Sequence, residues 1–196
     1  MNFLAHAWLS RHGSDDFLYG NLIADGVKGD RFDAWSPEIA TGIRHHRRVD
    51  AVIDRHTEVM NLLRAAPKAQ RRFAGIALDL VWDHFLASRH PDALLVERCY
   101  DVLNQRQAPA RLAGMIPALI DGDWLQRYAD FDFTCRAIAG IGQRLRGPNQ
   151  LAALTPWLRD EYDRLEAAFV ILWPDMQHRF GEGDDADLEG STVDRS

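Results

Sequence analysis

Helix punctuation runs the length of this chain, and nothing in it alternates with period two over a sustained stretch. Ser14-Asp15-Asp16 opens an amphipathic stretch that reaches about residue 27. Ser36-Pro37-Glu38 joins a capping serine to a proline at the first helical position, and predicts a helix to about residue 56, with a further turn or two to about 65. Pro67 starts another, to about residue 89, where His90-Pro91 ends it, because the residue before a proline avoids helical geometry. Further helices fit residues 93–105, 108–120 and 130–146. Thr155-Pro156 opens the last long helix, which Pro174 ends or kinks. No Asn-Gly or Asp-Gly pair joins two apolar runs, so hairpins are absent from the reading. The expected fold is all-α, a single-domain bundle of about seven or eight helices.

A chain of 196 residues with 46% hydrophobic side chains can bury one sizeable core. That core is expected over residues 1–180. From Gly181 onward the composition changes to GEGDDADLEGSTVDRS, with six acids, one arginine and no aromatic. Nearly all of the chain's net charge of −6 sits there, and such a stretch cannot bury enough apolar surface to order itself, so residues 181–196 read as an acidic, disordered tail. The two cysteines, Cys99 and Cys135, lie far apart in helix-like apolar surroundings and read as reduced, buried thiols rather than a bridge. The opening MNFLAHAWLS is too short to span a bilayer and lacks a basic leader, which predicts a cytoplasmic protein without a membrane partner.

Ionisable residues stand where apolar ones belong. On the helix from Pro37, Ile39, Ile43 and Ile53 share one face, and His46 and Asp50 fall in its middle, four residues apart. A bare His or Asp in a core is costly unless paired or bound to a metal. A buried pair that orders the core and a metal or catalytic site both fit. The helix from Pro67 repeats the pattern more strongly. Phe73, Ile76, Ala77, Leu80, Val81 and Phe85 make its main face, and Leu78, Trp82 and Leu86 extend it most of the way round, which predicts a central helix. Asp79 and Asp83 sit four apart on it, and His84 lies in the apolar stripe. Two neighbouring carboxylates raise each other's pKa or hold a cation between them; pairing with an arginine is the structural alternative. On the second helix, Asn21 and Asp25 interrupt the face of Phe17, Leu18 and Leu22, with a turn role before Gly26 as the other reading of Asp25. His6 edges the stripe of Phe3, Leu4, Ala7 and Trp8. Oxygen and imidazole donors without thiolates suit Mn, Mg, Fe or Zn, and a carboxylate-rich set leans to Mn or Mg. Such ions polarise phosphoryl oxygens, which favours hydrolysis of a phosphate ester over redox chemistry.

Between Arg44 and Arg72 the chain carries Arg44, Arg47, Arg48, Arg55, Arg64, Lys68, Arg71 and Arg72 against Asp50, Asp54 and Glu58, a net of +5. Arginine recognises phosphate bidentately, and a basic strip beside a metal site suits an acidic partner. An ordinary solvated helix face is the alternative. A pI of 5.7 and the lack of any nucleic-acid-binding motif argue against nucleic acid.

The opening MNFLAH, the stretch GNLIADGVKG, the run GIRHHRRVDAVID and LDLVWDHFL resemble the acyl carrier protein phosphodiesterases over roughly residues 1–180. That family is similar to the helical HD-domain metal-dependent phosphohydrolases, although here the adjacent pair reads Asp83-His84, the reverse order. The resemblance implies an HD-domain-like fold and a divalent cation, usually Mn with Mg or Fe as alternatives. It also implies hydrolysis of holo-acyl carrier protein to apo-carrier and 4′-phosphopantetheine. Asp25, His46, Asp83 and His84 are the expected metal ligands. His6, Asp50 and Asp79 are next, as ligands or supporting partners, with Arg47 and Arg48 on the phosphate. Two other functions fit the same residues: an HD-like hydrolase of a small nucleotide, and a non-catalytic helical module that docks an acidic partner.

Overall fold

Side-chain caps set several helix starts. The structure is a computed structural model and describes residues 3–145, 147 and 149–181. Its helices are α1 (Phe3–Leu9), α2 (Asp15–Ile23), α3 (Pro37–Ile53), α4 (Thr57–Ala65), α5 (Arg71–Arg89), α6 (Ala93–Asn104), α7 (Met115–Asp121), α8 (Trp124–Arg127), α9 (Phe131–Arg144), α10 (Thr155–Asp160) and α11 (Tyr162–Phe180). Short 3-10 turns follow α2 at Ala24–Gly26 and precede α10 at Ala152–Leu154. Ser14 caps α2 by accepting from Phe17 N, and Ser36 caps α3 by accepting from Ile39 N. The two caps are also cross-linked, Ser14 to Glu38 and Ser36 to Asp16, so the starts of α2 and α3 are tied together.

No strand occurs among the described residues, and the all-α, single-domain expectation is met. The helix count is higher than expected because several long stretches are broken. Residues 54–56 separate α3 from α4, whose start is capped by His56. The helix expected from Pro67 begins only at Arg71. Residues 67–70 make a turn, and the Arg71 guanidinium folds back onto the carbonyls of Arg64 and Ala66 at the end of α4. Residues 109–114 form successive turns, and α7 begins after Gly114. Thr155-Pro156 opens only the short α10; α11 starts separately. Pro174 does not end α11, which runs on to Phe180. The carbonyl that Pro174 leaves without a donor belongs to Val170, which is 54% exposed, so water can satisfy it.

α5 is central, as its sequence predicts. Leu78, Leu80, Val81, Trp82, Phe85 and Leu86 are all buried, and α1, α4, α8, α9 and α11 surround it. Each such side chain contributes about 1.5–3 kcal/mol when fully buried. Cys99 and Cys135 are buried free thiols. The acidic tail, Gly181 apart, lies outside the described residues. No helix among them is long and apolar enough to cross a membrane.

Candidate metal centre

α2 and α3 touch backbone to backbone, and this contact builds the site. A Cβ on Gly20 would lie 2.2 Å from the Ile39 carbonyl oxygen, and one on Gly42 would lie 2.2 Å from that of Phe17. Only glycine permits so close an approach at the crossing. One residue beyond Gly20, the main-chain carbonyl of Asn21 accepts from His46 Nδ1 at 2.8 Å. The Asn21 side chain binds the neighbouring imidazole, with Oδ1 2.9 Å from His45 Nδ1. A carbonyl only accepts, so His46 Nδ1 carries the proton and Nε2 presents the lone pair of the neutral ring.

That lone pair points into a cluster of acids. His46 Nε2 lies 3.2 Å from Asp50 Oδ2 and 3.6 Å from Asp25 Oδ1, and makes no aligned hydrogen bond to either. His6, from α1, stacks on His46 with ring centroids 3.5 Å apart and planes 14° apart, and its Nε2 lies 3.1 Å from Asp50 Oδ1. Its other nitrogen, Nδ1, is buried without a partner. His6, His46 and Asp50 each offer a ligand atom, and these lie within 4.8 Å of one another. Asp25 adds a second carboxylate, carried by the 3-10 turn after α2.

The imidazoles and carboxylates are electrostatically coupled. Burial opposes charge on His46, but the carboxylates of Asp25 and Asp50 outweigh it and raise its pKa to about 9. Burial, then the neighbouring His46, push His6 down to about 4. Burial would raise the pKa of Asp50, yet His46 and His6 hold it well below the usual carboxylate range. Burial and His46 act on Asp25 in the same opposed way, and its pKa is lowered. A lone pair facing two anions is satisfied by a proton or by a metal ion. The donor set of two imidazoles and two carboxylates, with two buried nitrogens lacking partners, fits a divalent ion such as Mn, Fe or Zn. A second imidazole beside a carboxylate-bound one is less apt for Mg, which prefers oxygen.

Of the expected ligands, the structure brings together Asp25 and His46, and joins to them His6 and Asp50. It does not bring Asp83 and His84 into the cluster. Asp83 is fully buried, and its two oxygens accept from Leu4 N at 3.0 Å and Ala5 N at 2.8 Å, tying the first turn of α1 to α5. Burial pushes its pKa up to about 7 against those two bonds. His84 uses both nitrogens, donating from Nδ1 to the Tyr128 carbonyl at 2.8 Å and accepting at Nε2 from Tyr162 OH at 2.9 Å. Both groups are held by protein partners away from the cluster. Asp79 is half-buried beside Asp83, and burial raises its pKa. Arg47 sits beside Asp50 on α3, but its guanidinium donates to the carbonyls of Val27 and Gly29, pinning the loop after Asp25. Arg48 is exposed, about 200° round the helix from His46, near the Phe180 ring. Neither arginine is therefore placed on a phosphate at the cluster. His45 and the Asn21 carbonyl were not foreseen; the first shares a helix with His46 but faces Phe17 and Phe180, and the second has no side-chain signal at all.

The family model for acyl carrier protein phosphodiesterase matches residues 1–176. An Escherichia coli protein named acyl carrier protein phosphodiesterase is 37% identical over 191 residues, covering 91% of this chain and 97% of its own length. Proteins of the same name from Escherichia coli strains SMS-3-5 and HS are 37% identical over 188 residues, covering 90% of this chain and 95% of theirs. No solved structure gives a significant match.

Proposed function

The chain belongs to the acyl carrier protein phosphodiesterase family, and from that premise we propose that the His6–His46–Asp50–Asp25 cluster is its hydrolytic centre and depends on a divalent cation. The reaction is hydrolysis of the phosphodiester of holo-acyl carrier protein. Water oxygen bonds to phosphorus, the bond from phosphorus to the carrier's serine oxygen breaks, and a proton from water ends on that oxygen. Apo-carrier and 4′-phosphopantetheine leave.

One observation carries the assignment of the site: His46 Nε2 faces two carboxylates while its Nδ1 is locked to the Asn21 carbonyl. A bound cation would supply polarisation of a phosphoryl oxygen and acidification of water. The residues do the rest. The two stacked rings form the buried back wall. Asp25 and Asp50 are 35% and 44% exposed, so the phosphodiester approaches from their side. Their oxygens accept hydrogen bonds from the attacking water and orient it. His6, with its low pKa, stays neutral through the working range and adds no charge to repel a cation. Manganese suits the mixed nitrogen and oxygen set best, with Fe next. The acidic carrier would dock on exposed arginines of the strip, Arg44, Arg48 and Arg55, and the site of action would be the cytoplasm, where carrier proteins work.

The test is calorimetric titration of chelator-treated protein with Mn, beside mass-spectrometric detection of arm loss from holo-carrier. Stoichiometric binding by the native protein, absent in His46→Ala, together with Mn-restored hydrolysis, is the expected result. Full hydrolysis by protein stripped of metal would overturn the metal reading while leaving the reaction intact.

A further inference from the structure

A cleft of about 210 Å³ lies between residues of α8 and α9, next to the start of α1, and it shares no residue with the hydrolytic cluster described above. Its walls are Phe3, Trp124, Tyr128 and Phe133, with Ala137 and Gly140 on the side formed by α9. Gly140 stands in the interior of α9, where glycine is a poor helix former, yet a Cβ there would meet nothing within 4 Å. Close backbone approach, the reason for Gly20 and Gly42, does not apply. A side chain at Gly140 would enter the open space of the cleft it lines.

The rim is cationic. Arg136 and Arg144 line the mouth, spaced eight residues apart on α9. Arg144 lies 5.9 Å from the Trp124 ring, Arg136 lies 5.9 Å from Phe133, and Arg127 lies 4.2 Å from the same ring. Arg136 reaches Asp130 only loosely, at 3.5 Å between two exposed groups, and among the described residues no carboxylate lies within ion-pair distance of Arg144. Guanidiniums near aromatic rings and exposed to solvent leave N–H donors for an anion.

We propose that this cleft binds a single-chain aliphatic carboxylate, its hydrocarbon tail along Phe3, Phe133 and Gly140 and its head on Arg144, with Arg136 adding positive charge at the rim. A neutral chain would waste the cationic rim, and a compact anion such as phosphate would leave the apolar walls wet. The size suits a short to medium chain, being somewhat below the roughly 300–1,000 Å³ of drug-sized sites. The proposal does not depend on the hydrolytic reading, because it concerns residues outside that cluster and is read by binding.

The experiment is isothermal titration of the full chain with octanoate, octanol and acetate. Octanoate is expected to bind measurably, octanol at least tenfold more weakly, and acetate not at all. Gly140→Leu should abolish octanoate binding by filling the cleft. Arg136→Glu with Arg144→Glu, both on exposed side chains, should weaken octanoate tenfold or more while leaving octanol unchanged, so a folding failure of the glycine variant would not decide the matter. Octanol binding as tightly as octanoate, or octanoate binding unaffected by the double charge reversal, would overturn the proposal. Hydrolysis of holo-carrier measured on the same variants should stay at the native level, which separates this site from the hydrolytic one.

Discussion

Two inward-facing sets of Asp and His look alike in the sequence and behave oppositely in the fold. At the Asp83–His84 pair every oxygen and nitrogen has a partner: two main-chain N–H groups for the carboxylate, a carbonyl and a tyrosine hydroxyl for the ring. At the His6–His46–Asp50 cluster two buried nitrogens have none, and carboxylates crowd one of them. A buried polar group with all its bonds made fixes structure; one with a bond left over is a candidate for holding a ligand.

The largest effects should come from exchanging the two sets. His46→Ala is expected to lower kcat/KM for holo-carrier by more than about 100-fold, beyond the range typical of groups that merely support a metal ligand, and to abolish metal binding. Above about pH 9, where the charge on the ring no longer contributes, its unfolding free energy should move less than that of the Asp83 variant. Asp83→Ala should do the reverse, losing about 2–4 kcal/mol in urea unfolding because two buried N–H groups lose their acceptor, while the folded fraction keeps its turnover. An Asp83→Ala protein that is stable but inactive would erase the distinction between the sets.

Next in size is the helix crossing that holds the cluster together. Gly42→Ala puts a methyl group against the Phe17 carbonyl, and should cost about 1–3 kcal/mol by forcing α2 and α3 apart. Metal affinity should fall with it, since the Asn21 carbonyl withdraws from His46. Unchanged affinity in the calorimeter would show that the crossing does not set the tautomer.

A smaller effect separates the sets by pH. The folded pKa of His46, about 9, exceeds its unfolded value of about 6.5. Its contribution to the stability of the metal-free protein is therefore fully present below about 6.5 and is lost as pH rises through about 9. Chemical unfolding across that window should show a downward slope that His46→Ala lacks. Saturating metal should flatten the slope, because the ion replaces the proton on Nε2.

The smallest expected change concerns docking. Reversing Arg44 and Arg55 to Glu should raise KM for holo-carrier several-fold with kcat nearly constant, the mark of binding that is equal in ground and transition states. Added salt should mimic it, since exposed charges are screened over about 8–10 Å. Arg71 is left out of this test because its guanidinium closes the end of α4. A KM indifferent to both changes would make the strip a solvated face.

Much of this was legible from residue order. Capping serines, Pro37 and His90-Pro91 mark helix boundaries by local geometry, and the apolar wrapping of α5 marks the centre. His46 and Asp50 could be paired because a helix repeats every 3.6 residues. The same reasoning put Asp83 and His84 in the site, since helical spacing reports that a side chain points inward and not what it meets there. The helix expected from Pro67 starts at Arg71, which reaches back to the end of α4, a contact that no local signal encodes.

Sequence by itself determined that the chain is helical, that α5 lies at its heart, and that acids and imidazoles are buried in three separate helices, because these follow from the short-range periodicity of apolar and polar residues. Tertiary structure alone decided which of them meet. His6 stacks on His46 across forty residues of chain, Asp83 serves the first turn of α1, and the main-chain carbonyl of Asn21 fixes the histidine tautomer. Those outcomes depend on how closely two helix backbones can approach at Gly20 and Gly42, and on which buried valences are still open when packing is complete.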